Sequence, residues 1–298
     1  LIKNGAATLT LNGNNTYSGG TALNAGTLVG GSNSALGTGS LNAAANTSLD
    51  SSAAVSLANA LNLAGALTVL GSNDLTLDGV VNGPGSLVKS GASTLTLNGA
   101  NNYLGGTTLN AGALVVGNNS ALGLGGLTVA GASTLSSNAP VSLGNNVTLN
   151  AGLTVDGSND LSLNGVVNGT GGLIKQGSGN LTLNGNNGYQ GGTQLAAGTL
   201  TLGTSGSLGT GDLSVTGDST LSNSAAMVLG NDITLGNGAE LTLETGSALT
   251  LSGDIAGTGN LVKAALDHAR AAGWKVVPAC SYSAVYVQRH PEYADLLA

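Results

Sequence analysis

The chain has 298 residues, 51 of them glycine and none phenylalanine, with 7 Lys+Arg against 14 Asp+Glu and a formal net charge of −7. At 41% hydrophobic but only 2% aromatic, its interior must be built from Leu, Val, Ile and Ala, which excludes a core anchored on large rings. Long apolar spans are absent, the lone Cys280 excludes an internal disulfide framework or a cysteine-rich zinc module, and the acidic balance argues against nucleic acid as a partner.

Laid against itself, the chain repeats. Leu1-Ile-Lys-Asn-Gly followed by Thr8-Leu-Thr-Leu-Asn-Gly13 returns as Leu87-Val-Lys-Ser-Gly with Thr94-Leu-Thr-Leu-Asn-Gly99, and as Leu173-Ile-Lys-Gln-Gly with Leu181-Thr-Leu-Asn-Gly185. Lys3, Lys89 and Lys175 are thus 86 residues apart, and units begin near residues 1, 87 and 173. A fourth start, Gly257-Thr-Gly-Asn-Leu-Val-Lys263, arrives 88 residues after Lys175, because the loop from Leu235 to Leu241 is two residues longer than that from Leu149 to Leu153.

Within each unit short apolar pairs recur in register, with Thr, Ser or Asn between the partners. Leu9/Leu11 matches Leu95/Leu97 and Leu181/Leu183, and Val55/Leu57 matches Val141/Leu143. Such alternation puts aliphatic side chains on one face of a strand and hydroxyls on the other. Gly-Ser, Asn-Gly and Gly-Gly clusters between the pairs supply tight turns. Strands this short, less than ten residues apart and almost without aromatic filling, suit a parallel solenoid better than a sandwich. The expectation is an all-β rod over residues 1–260, each unit comprising about four coils of roughly twenty residues with three strands to a coil. About twelve coils at ~4.8 Å make it on the order of 55 to 60 Å long. Tyr17, Tyr103 and Tyr189 then lie about four coils apart, each packed over a turn with a wet hydroxyl, or, alternatively, set out as a carbohydrate-stacking row. Asn12-Gly13, Asn98-Gly99, Asn184-Gly185 and the Asn-Asn pairs nearby are expected to satisfy turns and stack as amide ladders.

From Leu261 the composition changes. Residues 261–298 have no Asn or Thr, one Gly, both His, the only Cys and Trp, and four basic against three acidic residues, whereas the first 260 hold 3 Lys and 11 acids. Lys263 to Ala272 is predicted as a helix stopped by Gly273, Trp274 to Val277 as a strand, and Ser283 to His290 as a second helix before Pro291.

The run Gly169-Thr-Gly-Gly-Leu-Ile-Lys-Gln-Gly-Ser-Gly-Asn-Leu-Thr-Leu-Asn-Gly-Asn-Asn-Gly-Tyr-Gln-Gly-Gly-Thr193 with Ala197-Gly-Thr-Leu200 resembles the autotransporter-associated β-strand repeat, also called the passenger-associated transport repeat. The same signature stands at Leu87 to Leu114 and at Leu1 to Leu28. The resemblance implies a right-handed parallel β-helix, exported through an outer-membrane translocator barrel of the parent protein and displayed on the bacterial surface or released. Such a chain crosses a pore unfolded and zips up coil by coil. With no initiating Met, no signal peptide at Leu1 and no barrel-like C-terminal strands, the sequence reads as a segment of a longer protein.

Leu261 to Tyr282 and Arg289-His-Pro-Glu-Tyr293 resemble the C-terminal end of a small GNAT-type N-acetyltransferase. That likeness implies an acetyl-CoA pyrophosphate loop where Gly257-Thr-Gly259 stands, although these glycines equally open the repeat. With solenoid in place of the remaining cleft strands, residues 261–298 are read as a graft serving as an end cap.

Catalytic, cofactor and metal residues are assigned to none. Asp74 and Asp78 share an outward face about 13 Å apart at strand rise, wider than glycosidase pairs use. Asp156/Asp160 and Glu240/Glu244 read as solvated charge. Gly71-Ser-Asn-Asp74 and Gly157-Ser-Asn-Asp160 offer one acid per turn and lack the nine-residue calcium pattern. His268 and His290 sit in the tail, and Cys280 is expected as a buried thiol. The function expected is a non-enzymatic structural or adhesive passenger segment, extracellular or on the cell surface, with host cells, matrix or glycans as partners and no transmembrane segment. The alternatives are a β-helix enzyme acting on glycans and an acyl-CoA-binding remnant in the tail.

Overall fold

The computed structural model describes residues 1–263, and the helices, strand, cap, histidines and thiol expected beyond them lie outside the described residues. The described chain is all strand and turn. It forms a parallel β-solenoid of about 13 turns, one more than the count expected from the repeat, and at 4.8 Å per coil this is about 60 Å of rod. Most rungs are three residues long with the ends buried and the middle half exposed, as in Leu75–Leu77, Leu161–Leu163 and Leu213–Val215. Two aliphatic residues therefore enter the core per rung, and a Thr or Ser faces out.

Each rung inside a sheet pairs in parallel with the rungs one coil before and after, typically 20 residues away, so like stacks on like, and rungs at the sheet ends pair on one side only. Leu75 and Leu77 lie over Val55 and Leu57 and beneath Leu95 and Leu97. Columns of Leu and Val thus run along the axis with the main-chain ladder at right angles to the strands, and neither hairpin turns nor large rings are needed. The longer loop before Leu241 falls in the turn at Gly236–Ala239, and the pairing step there widens so that Ser219 faces Leu241. The ladder also continues through Leu261, Val262 and Lys263, which pair with Leu241, Thr242 and Leu243. Lys263 is the end of the strand Asn260–Lys263 rather than the start of a helix.

Two of the three faces of the rod are interrupted once, at different heights, and the third starts only after an equivalent gap. One face is a five-stranded sheet ending at Val81–Asn82 that resumes at Val141–Leu143 as a seven-stranded sheet. The second runs as nine strands to Val167–Gly169 and resumes at Met227–Leu229. The third begins at Val55–Leu57 and continues through eleven strands. The gaps hold Asn101 to Gly123, Asn187 to Gly209 and Asn15 to Gly37, equivalent segments of the three units. At 20 residues per coil, an 86-residue unit is about four coils and a third. Equivalent residues therefore climb the rod and step round by one face per unit: Lys3, Lys89 and Lys175 lie in three different sheets. Four whole coils per unit would have kept them in one.

Candidate functional site

The side chains with most chemistry collect in two places per unit. The first is the gap where a rung is missing. Asn101 and Tyr103 occupy it in the second unit, both buried, and hydrogen bonds replace the lost ladder. Asn101 Oδ1 accepts from the Val81 amide at 2.7 Å, one coil below, and its Nδ2 donates to the Ala121 carbonyl at 2.6 Å, one coil above. Asn187 does the same between Val167 and Ser207, at 2.8 and 2.7 Å. A side-chain amide carries one donor face and one acceptor face, so it stands in for a peptide group in the stack. The main chain stacks through the gap as well: the Leu104 amide donates to Gly83 O at 3.0 Å, and the Leu124 amide to Tyr103 O at 2.9 Å.

Tyr103 and Tyr189 are 0% exposed, so the expected wet hydroxyls, and a stacking row for sugars, are corrected at these two positions. The Tyr103 hydroxyl hydrogen-bonds Thr107 Oγ1, and that of Tyr189 lies 2.6 Å from Thr193 Oγ1. Burial pushes both phenols up to about 12, the threonine bond opposing the shift. Tyr17 is half-buried, with its hydroxyl 2.7 Å from Thr21 Oγ1. A left-handed glycine covers the ring: Gly123 has φ +65°, and a Cβ there would lie 2.5 Å from Tyr103 O. Asn145, one coil above, donates to the Gly123 and Gly125 carbonyls at 3.0 and 2.6 Å. Asn59 and Asn231 make the equivalent pairs of bonds in the other units.

The second place is the corner after each unit's first rung. Lys89 is 0% and Lys175 2% exposed, with Lys3 also buried. They follow Leu-x in the inward position, and each ammonium ends on carbonyl oxygens of the turns. Lys175 Nζ donates to Gln176, Gly177 and Ala197 at 3.0, 2.7 and 3.1 Å. Lys89 Nζ donates to Gly91 and, at 3.4 Å, to Ala111, and Lys3 Nζ to Gly5 and, at 3.0 Å, to Ala25. Desolvation lowers Lys89 and Lys175 from the ordinary lysine value, with Asp74 and Asp156 respectively pulling the other way.

Several carboxylates are spent on neighbouring coils. Asp74 Oδ1 accepts from the Thr94 amide at 2.7 Å, Asp160 Oδ1 from Asn180 at 3.0 Å, and Asp218 Oδ1 from Glu240 at 2.9 Å, each one coil up. Asp78 takes Ser56 Oγ and Asn98 Nδ2, the latter at 2.7 Å. Asp156 caps the Gly157 amide of its own turn at 2.7 Å. Of the expected amide ladders, Asn184 donates to Asn164 at 2.7 Å, and others form at positions not singled out in the sequence, Asn24 to Asn4 and Asn62 to Asn42, at 2.7 and 2.8 Å. Among the described residues no group of three or more His, Cys, Asp or Glu is placed to hold a metal ion, and no helix is long and apolar enough to cross a membrane. The concavities are shallow grooves at the corners. One is lined by Ala92, Gly112, Ala132 and Gly152, and its equivalent one unit on by Gly198, Asp218 and Glu240.

Two buried polar atoms among the described residues lack a hydrogen-bond partner, Ser137 Oγ and Asn223 Oδ1, and they stand at the same position of successive units. The first unit has Ser51 there, whose Oγ donates to Asn73 O at 3.2 Å.

The lysines with their acceptor carbonyls, and the Asn and Tyr of each gap, fall inside the segments that match a known family, whereas the gap's partners Val81, Ala121, Val167 and Ser207 lie outside them. Residues 1–29, 87–116 and 173–202 match the passenger-associated-transport-repeat, and residues 255–296 match the GCN5-related N-acetyl-transferase family. The second match begins within the solenoid, since Ile255–Gly257 and Asn260–Lys263 are rungs of its last coils. No curated protein and no solved structure matches the chain. Three segments similar to a passenger-associated transport repeat, each opening an 86-residue unit of a parallel β-solenoid, fit a passenger segment of an autotransporter.

Proposed function

We propose that this rod is a non-enzymatic passenger segment of a type V secreted bacterial protein, shown on the cell surface or released, where it serves as a stalk or adhesive surface. The observation that carries this reading is that many of the acids and amides, and all three buried ammonium groups, bond to the coil below or above, which commits them to building the rod. Each coil is an edge on which the next can form, so folding can proceed from one end as the chain emerges and can pull export forward. The three buried lysines leave outward faces of Thr, Ser and Asn carrying mainly acidic charge, suited to many weak contacts with matrix or glycans. The test places the segment between a signal peptide and a translocator barrel and measures protease-accessible protein on the cell. The native rod is expected to reach the surface, and Leu97→Asp to slow its appearance several-fold. Equal export of both would remove the folding-driven reading, and release of reducing ends from a polysaccharide would replace it with the glycan enzyme.

The match at residues 255–296 favours one second reading, an acyl-CoA-binding remnant. Acetyl-CoA added to the whole chain would then raise its melting midpoint.

A further inference from the structure

The rungs of this rod are nearly interchangeable. Leu-x-Leu or Val-x-Leu stacks on its like in every sheet, at a spacing that repeats every coil, so aliphatic burial alone distinguishes poorly between the right neighbour and a coil displaced by one turn. The lysines break this equivalence. Lys89 stands in a column between Val69 and Leu109, and Lys175 between Val155 and Leu195. Each ammonium reaches its own turn and also the corner of the next coil, at Ala111 and Ala197. Lys3 reaches Ala25 in the same way.

The acceptor corner has its own backbone signature. The residue after each alanine is a left-handed glycine, Gly26, Gly112 and Gly198, at φ +74°, +74° and +71°. A Cβ there would lie 2.5, 2.5 and 2.3 Å from carbonyl oxygens of the coil below, so only glycine fits. The peptide between alanine and glycine is thereby set with its carbonyl facing the ammonium. The corners one coil further on in the second and third units, at residues 130–132 and 216–218, contain no residue at positive φ, whereas in the first unit Asn46 stands there at φ +60°.

We propose that the lysine corners are register locks: a buried ammonium on one coil whose set of acceptors, begun by its own turn, is completed by the Ala-Gly corner of the coil that belongs above it. Removing the acceptors from a buried charge is far more costly than replacing the charge by an apolar side chain. A slipped coil would therefore be rejected at the lysine, while a rod without the lysine would tolerate it. One lock per unit is the spacing needed to phase units that are otherwise alike. This inference concerns assembly of the rod and does not depend on where the protein is displayed.

The test uses the whole chain in a Cys280→Ser background, refolded from denaturant, with cysteine pairs on outward positions. Thr182 and Thr201 are register partners on the two coils that Lys175 joins, and Thr201 in turn faces Ser222. Thr182→Cys with Thr201→Cys reports the native register, and Thr182→Cys with Ser222→Cys reports a slip of one coil. With Lys175 present, the protease-resistant product is expected to give the first cross-link almost completely and the second not at all. In Lys175→Met the resistant rod still forms, the native cross-link falls several-fold and the slipped one appears. Lys89→Met, read with Thr96→Cys and Val115→Cys, repeats the experiment at an independent lock. Methionine variants that refold with the native cross-link undiminished would overturn the proposal. So would variants that give no resistant rod, which would make the lysines supports of stability and not of register.

Discussion

Two coils of the same face make their neighbours bond in different ways. At Val141–Leu143 and Leu161–Leu163 the stack is an ordinary ladder, two aliphatic residues inward and a serine outward. At Asn101 to Tyr103 the rung is absent, and a buried amide, a buried phenol and a left-handed glycine join this coil to those of Val81 and Ala121. The plain rung is generic and tolerates any aliphatic pair. The gap is specific, because each of its polar atoms has one partner and no water to replace it. The comparison teaches that burial sets the amount of stability while the gaps and lysine corners set where in the repeat each coil sits.

The comparison can be broken from either side. The largest effect is expected from the plain rung: Leu97→Asp puts an uncompensated carboxylate between Leu77 and Val116 in a core that is one side chain wide, costing about 4 kcal/mol or more. Circular dichroism should show a collapsed melting midpoint, and an unchanged one would refute the buried column. In the gap, Asn101→Ala leaves the Val81 amide and the Ala121 carbonyl unpaired, a loss of about 2–4 kcal/mol. The plain-rung control Ser142→Ala should lose little, so equal losses would erase the distinction.

Alkali separates the two regions without mutation. Tyr103 and Tyr189 titrate near 12 in the fold against 10 unfolded, so the stability they contribute is complete below pH 10 and lost as pH rises through 12. Two units correspond to about 2–3 kcal/mol per ring. Lys89 and Lys175, lowered by burial, act with the opposite sign: their contribution is present above 10.5 and lost as pH falls through their folded values. Above 10.5 the fall in midpoint therefore belongs to the tyrosines, and the Tyr103→Phe/Tyr189→Phe variant should show it reduced. An identical alkaline decline in that variant would place the cause elsewhere. Gly123→Ala, at φ +65° beneath a carbonyl, should cost about 1–3 kcal/mol. Asp78→Asn, at an exposed corner, should stay within about 0.5 kcal/mol; a large loss there would mean that the surface acids matter more to the rod than its core polar atoms.

The rungs were legible in the sequence because Leu9/Leu11 and Leu95/Leu97 carry both the two-residue period of a strand and the spacing of a coil. The third-of-a-turn step was not drawn from it, although 86 is not a multiple of 20 and that remainder was the available signal. Lys89 was read as a marker of the repeat. The alternation that puts Leu87 inward also puts Lys89 inward, but no residue pattern shows which carbonyls converge on its ammonium, since these come from turns 2 and 22 residues away. The buried Tyr103 was missed for the same reason: its cover is Gly123, one coil further on. Asp74 and Asp78 were set aside as a catalytic pair on spacing, and Asp156 and Asp160 as solvated charge; the bonds that Asp74, Asp78 and Asp160 make to neighbouring coils required the stack to be seen.

The most direct measurement is the growth of distance along one outward column. Ser142, Ser162, Thr182, Thr201 and Ser222 are successive register partners, so spin labels at Ser142 and Ser222 should stand four coils apart, about 19 Å at 4.8 Å per coil. Labels at Ser142 and Glu244, the partner above Ser222, should add one coil more, giving about 24 Å. Dipolar spectroscopy showing that linear rise would bear out coils wound about a single aliphatic axis. Separations that fail to increase from Ser222 to Glu244, or that alternate as in antiparallel strands, would contradict it.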